Sequence, residues 1–228
     1  MQTRKQSTVT KKHDMRSARY LVTEGPVGVG KTSLTSLLAK ELGARLILEQ
    51  AEENPFLTPF YKDPARYRFQ TQMFFLLNRF SQQQEMAQPD LFTRITISDY
   101  LFDKDRIFAY LNLDENELAL YEQFYKILEP KIVRPDLVIF LQADTDTLLR
   151  RIKQRGRSFE KEIAPDYIAA VNEAYNQFFF RYTDSPLLVI NTSDIDFVHR
   201  REDLDDLLKQ ILGMKQGTQY YVPRSRKK

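Results

Sequence analysis

The chain of 228 residues predicts an α/β fold: a mostly parallel five-stranded sheet with helices on both faces. Three observations predict it. Short apolar runs alternate with longer helical patterns, as successive βαβ units require. The segment Gly25-Pro26-Val27-Gly28-Val29-Gly30-Lys31-Thr32 joins the first apolar run to the first helical pattern. Two further runs deliver carboxylates at their carboxyl ends, where ligands gather in open parallel sheets.

In chain order, residues 1 to about 18 are polar, basic and without apolar periodicity, so they read as a disordered leader. The first strand spans 19–23, and the helix after the glycine-rich loop carries Leu34, Leu37, Leu38 and Leu42 at helical spacing before Gly43 ends it. Further strands are expected at 45–49, 94–98, 137–142 and 187–191. Between them the pattern predicts a long helix from Pro64 to Ala87, one or two helices across 103–130, and helices at 144–155 and 165–181. Residues 19–213 form one domain on this reading, and 214–228 read as a basic tail.

Composition narrows the functional classes. The 34 Lys and Arg against 31 Asp and Glu leave a net charge of +3, too small to argue for a nucleic-acid partner. Zero Cys excludes a disulfide scaffold, a thiolate metal site and a cysteine nucleophile, and it favours a reducing, cytoplasmic setting. The longest apolar runs, such as Leu137-Val138-Ile139-Phe140-Leu141, are far too short to span a bilayer, so no membrane partner is expected.

The loop fits G-x-x-x-x-G-K-[ST], a phosphate cradle. Gly25, Gly28 and Gly30 let the backbone curl, Lys31 reaches the β/γ oxygens of a nucleotide, Thr32 ligates Mg²⁺, and Ser33 opens the helix whose positive end faces the phosphates. Glu49 and Asp99 end the second and third candidate strands. A carboxylate there can hold Mg²⁺ through water or accept the proton of an attacking hydroxyl. Asp99 could instead cap a helix, and Glu49 competes with Glu52 and Glu53, which suit a solvated turn. Farther on, Arg151 and Arg155 share a helical face, and Arg157 lies just beyond Gly156. Guanidiniums on such a segment suit a lid over a transferring phosphoryl group, although charge runs often mark only a solvated face.

Taken together these residues resemble the deoxynucleoside kinase family. The resemblance runs from about Arg19 to Leu212 and implies a P-loop kinase fold with an arginine-rich lid. The positions that resemble the family's motifs are Glu49, Tyr61, Gln72, Arg79, Asp99, the pair Asp105-Arg106, and Arg151, Arg155 and Arg157 with Glu160. It implies that ATP with Mg²⁺ sits on the loop and that Glu49 accepts the proton of a deoxyribose 5′-hydroxyl as that oxygen attacks the γ-phosphorus. It further implies that Asp99 holds Mg²⁺ through water, that Tyr61 and Glu160 bind the 3′-hydroxyl, and that Gln72 reads the base edge beside an Arg79–Asp105 ion pair. Tyr61 could equally be core, and Gln72, flanked by Gln70, could face solvent. Phe60, Phe69, Phe75 and Phe108 are candidate walls for the base, though with 16 Phe in the chain core packing is the default for any one. A homodimer is implied too, since the family commonly forms helix-packed dimers.

One departure stands out. The family's strand end usually continues with Arg after the acid, whereas Tyr100 follows Asp99 here. Arg106 or a lid arginine could substitute, turnover could be slower, or the acceptor could differ. Two rival readings stay open at this level: a nucleoside monophosphate kinase of the thymidylate type, and a non-catalytic nucleotide-binding protein. The spacing of Arg79 and Asp105 resembles that of the family's purine- and cytosine-selecting members, which implies deoxyadenosine or deoxyguanosine as the best acceptor, deoxycytidine as a secondary one and thymidine as a poor one.

Overall fold

A computed structural model of the chain describes residues 20–86, 94–157, 160 and 162–223. The leader expected over 1–18, the end of the basic tail, and Ala87 at the expected end of the long helix lie outside these residues. The described chain alternates strands and helices: β1 (Tyr20–Glu24), α1 (Lys31–Leu42), β2 (Arg45–Ile47), α2 (Leu57–Lys62), α3 (Pro64–Met86), β3 (Thr96–Ser98), α4 (Lys104–Asn112), α5 (Glu115–Leu128), β4 (Leu137–Gln142), α6 (Thr145–Arg155), α7 (Pro165–Phe180), β5 (Leu187–Asn191), α8 (Arg201–Gly213) and β6 (Thr218–Tyr221). Every strand pairing is parallel, and the order across the sheet is β2-β3-β1-β4-β5-β6.

The sheet therefore has six strands, not the expected five. Residues 218–221, read as part of a basic tail, pair with β5 from Leu187↔Thr218 to Ile190↔Tyr221. Their Thr-Gln-Tyr-Tyr sequence lacks an apolar run because β6 is an edge strand with little of its surface covered. Two helices also go beyond the expected set. α2 is only six residues long, and α8 carries Leu204, Leu207 and Ile211 at helical spacing within a charged stretch.

The central strands read as continuous apolar runs because both faces of the sheet are covered. In β4, Leu137, Ile139 and Leu141 turn to one side, against Leu34 and Leu38 of α1, Leu148 and Ile152 of α6, and Leu207 and Ile211 of α8. Val138 and Phe140 turn to the other, against Ile107 of α4 and Val171, Tyr175 and Phe179 of α7. Phe140 and Phe179 stack with ring centroids 4.1 Å apart. A third apolar cluster, Leu76, Phe102, Ala109, Tyr121 and Tyr125, joins α3, α4 and α5 beside the sheet.

At the carboxyl end of β1, Glu24 is fully buried and tied to three elements. Its Oε1 accepts the Gly25 N–H at 2.8 Å and the Tyr175 hydroxyl at 3.2 Å, and its Oε2 accepts the Leu101 N–H at 2.7 Å. It thus fastens the start of the glycine-rich loop to the segment after β3 and to α7. Glu24→Ala would leave two buried amides without an acceptor, at about 1–3 kcal/mol each. The expected result is a lower urea midpoint at unchanged m-value, with Glu24→Gln intermediate. An alanine variant with the wild-type midpoint would refute the anchoring role.

Candidate active site

The loop between β1 and α1 folds as its glycines require. Gly25 has φ +151°, and a Cβ there would lie 2.4 Å from the Leu141 carbonyl oxygen of the neighbouring strand. Gly28 has φ +86°, and a Cβ would fall 2.9 Å from the Leu148 carbonyl oxygen of α6. Backbone on both sides leaves no room to yield, so only glycine lets the loop nest against β4 and α6. Gly30, with φ +104°, caps α1, whose first turn holds Lys31, Thr32 and an exposed Ser33. Lys31 folds over the loop and donates to the Gly25 and Pro26 carbonyls at 2.6 and 3.1 Å. Burial pushes its ammonium down to about 8, against the pull of Glu24.

Asp99 is no helix cap. Its Oδ2 accepts the Thr32 hydroxyl at 2.6 Å and its Oδ1 accepts the Glu49 N–H at 2.7 Å. β2 ends at Ile47, two residues short of expectation, and Leu48 and Glu49 leave the sheet toward Asp99. A hydroxyl and a carboxylate side by side at the start of α1 are hard oxygen donors of the kind Mg²⁺ takes, with phosphate oxygens and water completing its shell. Among the described residues no group of three or more His, Cys, Asp or Glu forms a closed metal cage. Thr32 and Asp99 therefore fit a cation that arrives with a nucleotide.

Glu49 sits between two cations. Its Oε1 accepts from Arg79 Nε and Nη2 at 2.9 and 2.5 Å, and its Oε2 accepts from Lys104 Nζ at 2.7 Å. Burial alone would raise its carboxyl, but Arg79 and Lys104 outweigh that and hold it well below the usual carboxylate range. Arg79 also donates through Nη1 to the buried Asp105, whose second oxygen takes the Tyr121 hydroxyl at 3.0 Å. The expected Arg79–Asp105 pair is therefore present, and it extends to Glu49. Gln72 is buried, and its amide donates to the Asp105 carbonyl at 2.8 Å, so it does not face solvent.

These groups line one cavity of about 680 Å³, inside the usual range for a small-molecule site. Lys31, Thr32, Glu49 and Asp99 lie on its wall together with Tyr61, Gln72, Arg79, Arg155, Arg157 and Glu160. Phe60, Phe75 and Phe108 also line it, whereas Phe69 does not. Tyr61 packs against Phe60 and Tyr167 with centroids 5.3 and 6.4 Å apart, and burial raises its phenol well above the ordinary value. Asn112 of α4 donates to the Tyr167 hydroxyl at 3.1 Å, bracing that wall.

The lid arginines do not act as one group. Arg155 is paired with Glu160, which is nearly fully buried, and Arg157 Nε lies 3.7 Å from Glu52. Arg151 does not line the cavity. Its guanidinium donates to the Val29 carbonyl of the loop and to both oxygens of Thr192, which braces the loop from α6. Ser158 and Phe159 of the expected lid lie outside the described residues.

Tyr100 is fully buried, and burial pushes its phenol well above the ordinary value. Arg106 does not make up for the missing strand-end arginine, because its guanidinium turns to Glu122 and Tyr110. Sequence reasoning missed Glu24, Lys104, Tyr167 and Tyr175. Glu24 carried a usable signal, since it too is an acid directly after an apolar strand. Lys104, set between Asp103 and Asp105, carried none.

Comparison with known proteins agrees with this geometry. A match to the deoxynucleoside kinase family covers residues 21–214. A deoxyguanosine kinase of Bacillus subtilis is 33% identical over 202 residues, covering 86% of this chain and 98% of its own. A deoxyadenosine kinase of Lactobacillus acidophilus is 33% identical over 207 residues, covering 85% and 94%. Among solved structures, a deoxyadenosine kinase from M. mycoides with bound dATP is 27% identical with a TM-score of 0.74, covering 84% of this chain and 98% of that one. On the strength of a match over nearly the whole described chain, the protein belongs to the deoxynucleoside kinase family.

Proposed function

We propose that this deoxynucleoside kinase transfers the γ-phosphoryl group of ATP to the 5′-hydroxyl of a purine deoxynucleoside, in nucleotide salvage in the cytoplasm. One observation carries the assignment of roles: Glu49 lines the same cavity as Lys31, Thr32 and Asp99 and as Gln72, Arg79 and Tyr61. The 5′-hydroxyl would give its proton to Glu49 as its oxygen bonds to the γ-phosphorus and the bond to the β-phosphate oxygen breaks, releasing ADP. Lys31 and the loop amides bind the phosphates. Thr32 and Asp99 hold Mg²⁺, which when bound neutralises phosphate charge. Arg155 and Arg157 face the transferring group, and Tyr61 and Glu160 take the 3′-hydroxyl.

A monophosphate acceptor fits less well. A dianionic phosphate wants a free guanidinium clamp. Arg79 and Lys104, the cations beside Glu49, are already committed to carboxylates. A base reads differently. Gln72 keeps its carbonyl and one amide proton beyond its bond to Asp105, and Arg79 keeps one N–H on each terminal nitrogen beyond its bonds to Asp105 and Glu49, enough for the acceptors of a neutral purine edge though not for a dianion. The deoxyguanosine and deoxyadenosine kinases among the relatives support the purine reading.

We also propose a homodimer. Leu120, Phe124 and Ile127 are exposed along one stripe of α5, and Leu77 is exposed on the neighbouring α3. Such a face suits a second copy better than water.

Labelled ATP and a panel of deoxynucleosides and monophosphates test the activity. Purine deoxynucleosides are expected to exceed thymidine in kcat/KM by roughly 5- to 150-fold, the scale of one unsatisfied buried donor. A thymidine value equal to or above both purines refutes the base assignment. In the same assay Glu49→Gln should lower kcat by about 10² or more with ATP binding near normal. Wild-type turnover in a folded Glu49→Gln enzyme would place the base elsewhere. Light scattering is expected to show a dimer for the native chain and a monomer for Phe124→Glu combined with Ile127→Glu; a monomeric native chain ends the dimer proposal.

A further inference from the structure

Lys104 is the first residue of α4, and its side chain is almost completely buried in the wall of the cavity. Taking an ammonium out of water is costly, so its presence calls for a partner that needs it. Glu24 is not that partner. Its nearer oxygen is 3.9 Å from Nζ, and its two oxygens already take the Gly25 and Leu101 amides and the Tyr175 hydroxyl. Lys104 instead donates at 2.7 Å to Oε2 of Glu49, the oxygen that Arg79 leaves open.

Two cations on two different oxygens do what one cannot. Arg79 alone would let the carboxylate swing about its contact at Oε1. With Oε2 pinned from α4, the plane of the carboxylate is fixed between α3, which carries Arg79, and the end of β3, where Asp99 holds the Glu49 amide. Tyr100, which follows Asp99, is fully buried, carries no charge toward Glu49, and its hydroxyl finds no hydrogen-bond partner among the described residues, so the cation that reaches the reacting carboxylate on the β3 side comes from five residues past the strand-end acid.

We propose that Lys104 is a positioning residue of the phosphoryl-transfer reaction. It orients Glu49 toward the 5′-hydroxyl and, when the proton moves to Glu49, stays as a positive charge beside the transferring group. The proposal rests on Glu49 being the proton acceptor.

The test compares Lys104→Met, Lys104→Arg, Glu49→Gln and the double variant Lys104→Met/Glu49→Gln, each checked for a native thermal transition. Lys104→Met is expected to lose about 30-fold or more in kcat while the KM for ATP stays within about threefold, and Lys104→Arg is expected to recover to within about tenfold of the native enzyme. Because Lys104 acts through Glu49, the double variant should lie within about threefold of Glu49→Gln alone, a result a purely structural lysine would not give. Should Lys104→Met fail to fold, Lys104→Gln takes its place under the same criteria. An unchanged kcat in Lys104→Met beside a crippled Glu49→Gln overturns this proposal alone. So does an arginine that rescues nothing, or a double variant in which the two losses multiply in full. Wild-type turnover in Glu49→Gln overturns the base assignment first and this proposal with it.

Discussion

A chain of buried charges organises this protein: Tyr121 donates to Asp105, Arg79 bridges Asp105 and Glu49, and Lys104 closes on Glu49 from the far side. The buried Glu24 lies just beyond the last link. Breaking a buried pair by removing one partner costs about 3–5 kcal/mol, because the other charge is stranded away from water. No member can therefore change without its neighbours, and the helices that carry them are held in register with the strand ends. The same network shapes the electrostatics of the cavity, since its carboxylates Glu49 and Asp105 each have a hydrogen-bonded cation.

The apolar framework was legible in the sequence because a parallel sheet buried on both faces needs continuous apolar strands. The runs around Leu137–Leu141 and Leu187–Ile190 are of that kind, and β4 and β5 stand where they predict. The glycine-rich loop was legible because backbone on two sides of it tolerates no Cβ. What escaped has physical reasons. β6 is an edge strand whose stabilisation comes from the ladder with β5 and not from apolar side chains, so its composition resembles a tail. α8 shows its buried stripe only once Arg201, Glu202, Asp203, Asp205 and Asp206 are assigned to the solvent side.

Charge posed the harder problem, since a sequence shows sign but not burial. Three arginines at lid spacing look alike, yet Arg151 braces the loop backbone and Thr192 while Arg155 and Arg157 face the cavity. Lys104 and Arg106 are two residues apart on one helix, and opposite helical faces send one into the cavity and the other to Glu122. Asp103, next in sequence to Lys104, turns to Tyr125 and Arg134 instead. Which of several neighbouring charges belongs to a site is decided by the helical phase and by packing partners far away in the chain.

The helical cluster of Leu76, Phe102, Ala109, Tyr121 and Tyr125 stands apart from the two cores that clasp the sheet. The glycine-rich loop and α1 thus rest on one packing unit, while Gln72 and its helical neighbours rest on another. On the proposed roles, such modularity makes selectivity separately evolvable: side chains around the acceptor can be exchanged while the loop and strand ends keep their geometry. Arg79 links both units, through Asp105 on one side and Glu49 on the other, and so on the proposed roles it is the point at which a change of specificity carries a change in chemistry.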